Sequence, residues 1–134
     1  ALANLAAWKL EKDDKYSSAA GRFLRRMVDI QRADGGFGPE AYSVPSAGGA
    51  VLLELAAARK LGLGIGTDES LAKAVQYLLN LQVRREGDPA DGAYRGCTSN
   101  YTLDERICNI RSGAYAIMGL LHFAQAAGGI YGVD

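Results

Sequence analysis

Tyr101, Asp104, Glu105 and Arg106 crowd into one stretch of this chain, residues 95–111, together with Arg95, Asn100 and Arg111. A tyrosine can serve as general acid or base, and an arginine can neutralise the carboxylate of a uronate, so the set suits a lyase acting on polysaccharide. The stretch is longer than a turn between helices needs, and such loops in small domains often carry function. Its shorter counterpart, 39–45, brings Glu40 and Tyr42 to the same end, because equivalent hairpin turns share one rim. Carboxylates, tyrosines and arginines on one rim would bind a glycan. An internal Asp–Arg network that orders the long loop explains the same residues without any ligand.

Two further groups have chemical character. Tyr115, Met118 and His122 recur at i, i+3 and i+7 and would form one stripe of a helix, lining a cavity for a small apolar ligand or simply packing in a core. Cys97 and Cys108 lie in the same long loop. A disulfide between them would close that loop and suit an exported protein, while two free, partly buried thiols fit equally well.

Composition narrows the classes of partner. The 134 residues amount to one domain, with fifteen basic residues balanced by fifteen acidic ones. No net field favours nucleic acid or an anionic membrane, and Arg22, Arg25 and Arg26 form the only dense basic group. No apolar run reaches the length of a membrane span, since Trp8-Lys9 and Glu54 interrupt the candidates. Two cysteines do not define a redox compartment, so localisation stays open.

The elements that must position these residues come from a repeat. Residues 23–31, followed by Asp34-Gly35-Gly36-Phe37-Gly38, return as 75–82, followed by Asp91-Gly92-Ala93-Tyr94-Arg95-Gly96. Each copy leads into a small-residue start of an apolar run, Ser46-Ala47-Gly48-Gly49 and Ser112-Gly113-Ala114-Tyr115. In this register His122 corresponds to Ala56. Periodicity predicts five helices: about 2–12, 18–31 and 46–61, a fourth capped by Thr67, and a fifth over 111–127. The first, third and fifth are apolar nearly all round. The second sets Phe23, Leu24, Met27, Val28 and Gln31 against Arg22, Arg25, Arg26 and Asp29; the fourth sets Leu71, Ala74, Val75, Leu78, Leu79 and Gln82 against Lys73, Gln76, Tyr77 and Asn80. A helix apolar on every side must be covered on every side, whereas an amphipathic one can face water. The alternation therefore predicts an all-α fold of antiparallel helical hairpins in two layers.

Lys73-Ala74-Val75-Gln76-Tyr77-Leu78-Leu79-Asn80-Leu81-Gln82 and Gln31-Arg32-Ala33-Asp34-Gly35-Gly36-Phe37 resemble two halves of the repeat found in the prenyltransferase and squalene-cyclase superfamily, whose members form α/α toroids. Arg26 stands where that repeat has an aromatic residue, and extra residues around 84–88 separate Gln82 from its turn. The resemblance implies a partial toroid of about five helices spanning 1–134, in which Gln31 and Gln82 tie the end of an outer helix to the next element. It also implies partners, either the remaining helices of a larger, bacterial-type protein or a second copy, because the apolar faces of the first and last helices need cover.

The superfamily's chemistry is only thinly represented. Asp13-Asp14 matches neither the Asp-rich ionising motif nor the protonating motif of its cyclases and reads as a solvated helix terminus. Its zinc-dependent members hold the metal with Asp, Cys and His, which invites comparison with Asp104, Cys97, Cys108 and His122; Asp104 and Cys108 are spaced more widely than that pattern, so no cofactor is predicted and zinc is the alternative. The resulting expectation is a helical-repeat segment forming scaffold and one rim of a binding cavity. Its alternatives are a carbohydrate-active toroid, part of an isoprenoid cyclase or prenyltransferase, and a non-catalytic interaction module.

Overall fold

The helical spacing is realised in a computed structural model that describes residues 1–38, 43–66, 68–88, 91–94 and 110–127, except for the side chains of 110–112, 126 and 127. Among the described residues the chain is all-α, with five helices and no strand: Leu2–Glu11 (α1), Asp14–Asp29 (α2), Pro45–Lys60 (α3), Asp68–Leu81 (α4) and Ile110–Ala127 (α5). One isolated bridge joins Gln82 to Tyr94.

The junction of α1 and α2 shows how local chemistry sets an element's start. Lys12 ends α1 in the left-handed conformation (φ 57°), with its N–H donating to Trp8 O at 2.9 Å. Asp13 follows in extended geometry and caps α2, its carboxylate accepting the Lys15 N–H at 2.9 Å and lying 2.7 Å from Lys15 Nζ. The helix therefore begins at Asp14, ahead of the start near residue 18 that periodicity predicts, because a cap is written in one polar residue and not in an apolar stripe. The Asp13 carboxyl is held below its ordinary value, first by the Lys15 ammonium and next by the Lys15 backbone N–H. A lowered folded-state value means the stabilisation is present above the ordinary carboxylate range and is lost as pH falls through the lowered value. Asp13→Ala is expected to lower the melting temperature at neutral pH, and the difference from the parent should close in strong acid; a difference independent of pH would contradict the cap.

After α2 the chain turns through a cluster of glycines organised by two side chains. Asp34 accepts from the Gly36 N–H and from Ser43 Oγ, each at 2.9 Å. Gln31 Nε2 donates to Gly35 O at 2.8 Å and, across the fold, to Ser70 O in the first turn of α4 at 2.9 Å. Gly35 takes φ +85° with its α-carbon facing the Lys73 carbonyl, a place where a side chain would meet backbone. The second turn is built along the same lines but more loosely: Gln82 Nε2 reaches Gly92 O at 3.3 Å, and the Val83 N–H donates to Ala93 O at 2.7 Å.

Helix α3 is the centre of the core and touches all four other helices. Gly48 faces Tyr77 and Leu78 of α4, and Gly49 lies directly against the α5 backbone at Tyr115 and Ala116. Val51, Leu52, Leu55 and Ala56 are buried with Leu24, Phe37, Val75, Leu78, Leu120 and Phe123. Its one early charge, Glu54, accepts at 2.9 Å from the amine of Ala1 and at 3.3 Å from the Leu2 N–H, serving the start of α1 that Ala1 cannot cap with a side chain.

Two expectations about burial are corrected. Tyr77, assigned to the polar face of α4, is only 3% exposed, because Gly36 and Gly48 leave room for its ring. Phe23, assigned to the buried face of α2, is 48% exposed; the buried stripe runs through Ala20, Gly21 and Leu24. Of the three helices that are apolar all round, only α3 is covered on most sides. Helix α1 buries Leu5 alone and α5 leaves a broad apolar face exposed, as the sequence reading expects of the first and last helices; among the described residues no helix packs on those flanks.

Candidate functional site

The rim residues singled out above, Glu40, Tyr42, Arg95, Cys97, Tyr101, Asp104, Glu105, Arg106 and Cys108, lie outside the described residues. Arg111 falls in the first turn of α5, with its side chain likewise outside them. The candidates whose surroundings are described are Tyr115 and His122. Both are exposed, as is Met118 between them. This stripe belongs to the solvent side of α5 and not to its core, because the core side is occupied by Gly113, Ala116, Gly119, Leu120 and Phe123.

What holds α5 in this orientation is a pair of glycines. Gly119 meets the Gly49 carbonyl, and Gly49 meets the Tyr115 carbonyl, so the two helices touch backbone to backbone. Small residues let α5 approach α3 closely, while Leu120 and Phe123 fill the core beside them and Tyr115, Ile117, Met118 and Leu121 turn away, 40%, 47%, 44% and 53% exposed. Such a face offers area for an apolar partner, with the Tyr115 hydroxyl and the His122 ring as polar points, and the described residues place no acid–base pair on it.

Tyr94 sits where the long stretch begins. It is buried, its ring lies beside Gly113 at the start of α5, and burial pushes its hydroxyl above the ordinary phenol value against the opposing charge of Arg84.

A hollow at the end of α4 was not anticipated. A hollow of about 500 Å³ opens beside the end of α4, lined by Gln76, Asn80, Gln82, Val83, Arg84 and Arg85. Gln76 Nε2 donates to Asn80 Oδ1 at 2.7 Å on its wall, and the Arg85 N–H donates to the Asp91 carboxylate at 2.8 Å. Its amides and guanidinium groups suit polar or anionic ligands. The paired Arg84-Arg85 after a run of amides is the sequence signal, but it is indistinguishable there from an ordinary solvated helix face.

Among the described residues no group of three His, Cys, Asp or Glu side chains is placed to hold a metal ion, and no helix is long and apolar enough to cross a membrane. Compared with known proteins, the chain matches no family model, no curated protein and no solved structure.

Proposed function

We propose that this chain is a helical-repeat scaffold, a segment of two-layered hairpins of the prenyltransferase and squalene-cyclase type, which contributes one rim of a binding cavity through residues 39–45 and 95–111. The observation that carries this reading is the Gln31 side chain, whose one amide joins its own turn at Gly35 to the first turn of the next polar-faced helix at Ser70. That is the role the resemblance gives to this glutamine. A second observation agrees with it: Gly49 and Tyr115, which occupy the same position in the two copies of the repeat, lie against each other, so α3 and α5 sit side by side at matching heights.

The scaffold reading predicts that the chain forms no product from a polyuronate or from an isoprenoid diphosphate, and that Arg106→Ala leaves any glycan affinity unchanged. Incubation with each substrate, read by mass spectrometry, and calorimetric titration of parent and variant make the test. Unsaturated oligosaccharide or released diphosphate would replace the scaffold with an enzyme. Glycan binding lost in the Arg106 variant would assign the rim to carbohydrate.

A further inference from the structure

The hollow at the end of α4 forms where the second copy of the repeat departs from the first. Gln31 reaches Gly35 O, four residues on, at 2.8 Å, whereas residues 84–88 separate Gln82 from Gly92 O, ten residues on and 3.3 Å away. The intervening residues are ordered by hydrogen bonds of their own. Val83 O accepts from the Gly92 N–H at 2.8 Å, Arg85 O from the Asp88 N–H at 2.9 Å, and the Asp91 carboxylate from the Arg85 N–H at 2.8 Å. Arg84 and Arg85 are therefore carried on backbone that is pinned on both sides, beside a concavity of about 500 Å³. That volume falls within the roughly 300–1,000 Å³ common to small-molecule sites, and a pinned rim lowers the ordering cost of binding.

The lining selects a class of ligand. Among the described residues no carboxylate lines the hollow; Glu86, Asp88 and Asp91 belong to the adjoining loop, and Asp91 is engaged by the Arg85 N–H. The Arg84 side chain is exposed and has no carboxylate partner among the described residues. Its guanidinium presents a planar fork of donors that matches a carboxylate or a phosphate. The amides of Gln76 and Asn80 are joined at 2.7 Å, which fixes their orientation and leaves the Asn80 nitrogen as donor and the Gln76 oxygen as acceptor. Gln82, bonded to Gly92 O through its nitrogen, adds a second amide oxygen. A hydroxyl both donates and accepts, and the three amides answer both needs. Leu79 and Val83 complete the lining with apolar carbon, which suits the C–H face of a sugar ring.

We infer that this hollow binds an anionic sugar, with the acidic group on Arg84 and the hydroxyls on Gln76, Asn80 and Gln82. The site lies outside residues 39–45 and 95–111, so it adds a ligand position to the scaffold proposed above without using its rim.

Amide chemical-shift titrations of the full 134-residue chain at fixed ionic strength test the site, with glucuronate, glucose 6-phosphate, glucose and inorganic phosphate as probes. At least one of the two anionic sugars shifts the amides of Gln76, Asn80 and Arg84. Which of them does so distinguishes a carboxylate from a phosphate. Glucose and inorganic phosphate each bind about tenfold or more weakly than that sugar. Arg84→Gln, at an exposed position and with helical content checked by circular dichroism, lowers the affinity about tenfold or more, and Arg106→Ala leaves it unchanged. No shift of these amides with either sugar overturns the site, as does an unchanged affinity in Arg84→Gln. Inorganic phosphate binding as tightly as the sugar also overturns it, since the amides would then select nothing. The scaffold reading, judged by product formation, survives each of those results. Affinity lost in Arg106→Ala instead moves the sugar to the rim and overturns both.

Discussion

Gly49→Ala is expected to cost the fold about 3 kcal/mol, at the upper end for overpacking, and to lower the urea midpoint accordingly. The reason is what the new methyl group would meet. A Cβ on Gly49 falls onto the Tyr115 carbonyl group and lies 2.7 Å from Ala116 N, all of it α5 backbone that cannot rotate aside. The reciprocal position behaves alike, since a Cβ on Gly119 meets the Gly49 carbonyl oxygen and comes within 2.8 Å of the Gly49 α-carbon. Relief would require the two helices to separate, stripping Leu52, Leu120 and Phe123 of the contacts that bury them. Gly64→Ala supplies the control. Nothing lies within 4 Å of a Cβ there, so stability should move by no more than about 0.5 kcal/mol. A Gly49 variant as stable as the Gly64 variant would mean that α3 and α5 do not touch backbone to backbone.

Gln31→Glu should cost about 2–3 kcal/mol at neutral pH, more than Gln31→Ala. Its amide donates to two carbonyl oxygens, Gly35 O and Ser70 O, and a carboxylate of the same shape sets negative charge against both. Alanine only removes the bonds; glutamate replaces attraction with repulsion. The sign with pH follows. Two facing carbonyls raise the folded-state value of the new carboxyl, so the penalty is fully present above that value and relaxes as pH falls through it, when the protonated acid can donate one bond. Equilibrium urea unfolding of Gln31→Glu relative to Gln31→Ala should therefore show the gap narrowing on acidification. A constant gap would place Gln31 in solvent rather than between the hairpins.

These residues also mark how much the sequence could reveal. The five helices and the turns at Gln31 and Gln82 were legible, because a period of 3.6 and the turn chemistry of Asp and Gly are local signals. The start of α2 was not, as its cap rests on Asp13 alone, outside the apolar stripe. Tyr77 was misplaced for a different reason. Its burial depends on space left by Gly36 and Gly48, residues distant in the chain that no helical wheel includes. Likewise the stripe of Tyr115, Met118 and His122 reads identically whether it faces a cavity, a core or water. The choice is made by the glycines on the opposite side of α5, which fix which face turns toward α3. Of the candidate site, the α5 stripe is placed by the structure, whereas Glu40, Tyr42 and the group from Arg95 to Cys108 fall outside the described residues.

In the proposed scaffold, the Gln31 amide couples successive hairpins through Gly35 and Ser70. Hydrogen exchange in the parent and in Gln31→Ala tests it most directly. Coupling predicts that protection falls together in the turn after α2 and in the first turn of α4, around Ser70, while α1 keeps its own rate. Loss of protection confined to the Gln31 turn, with α4 exchanging as in the parent, would contradict it.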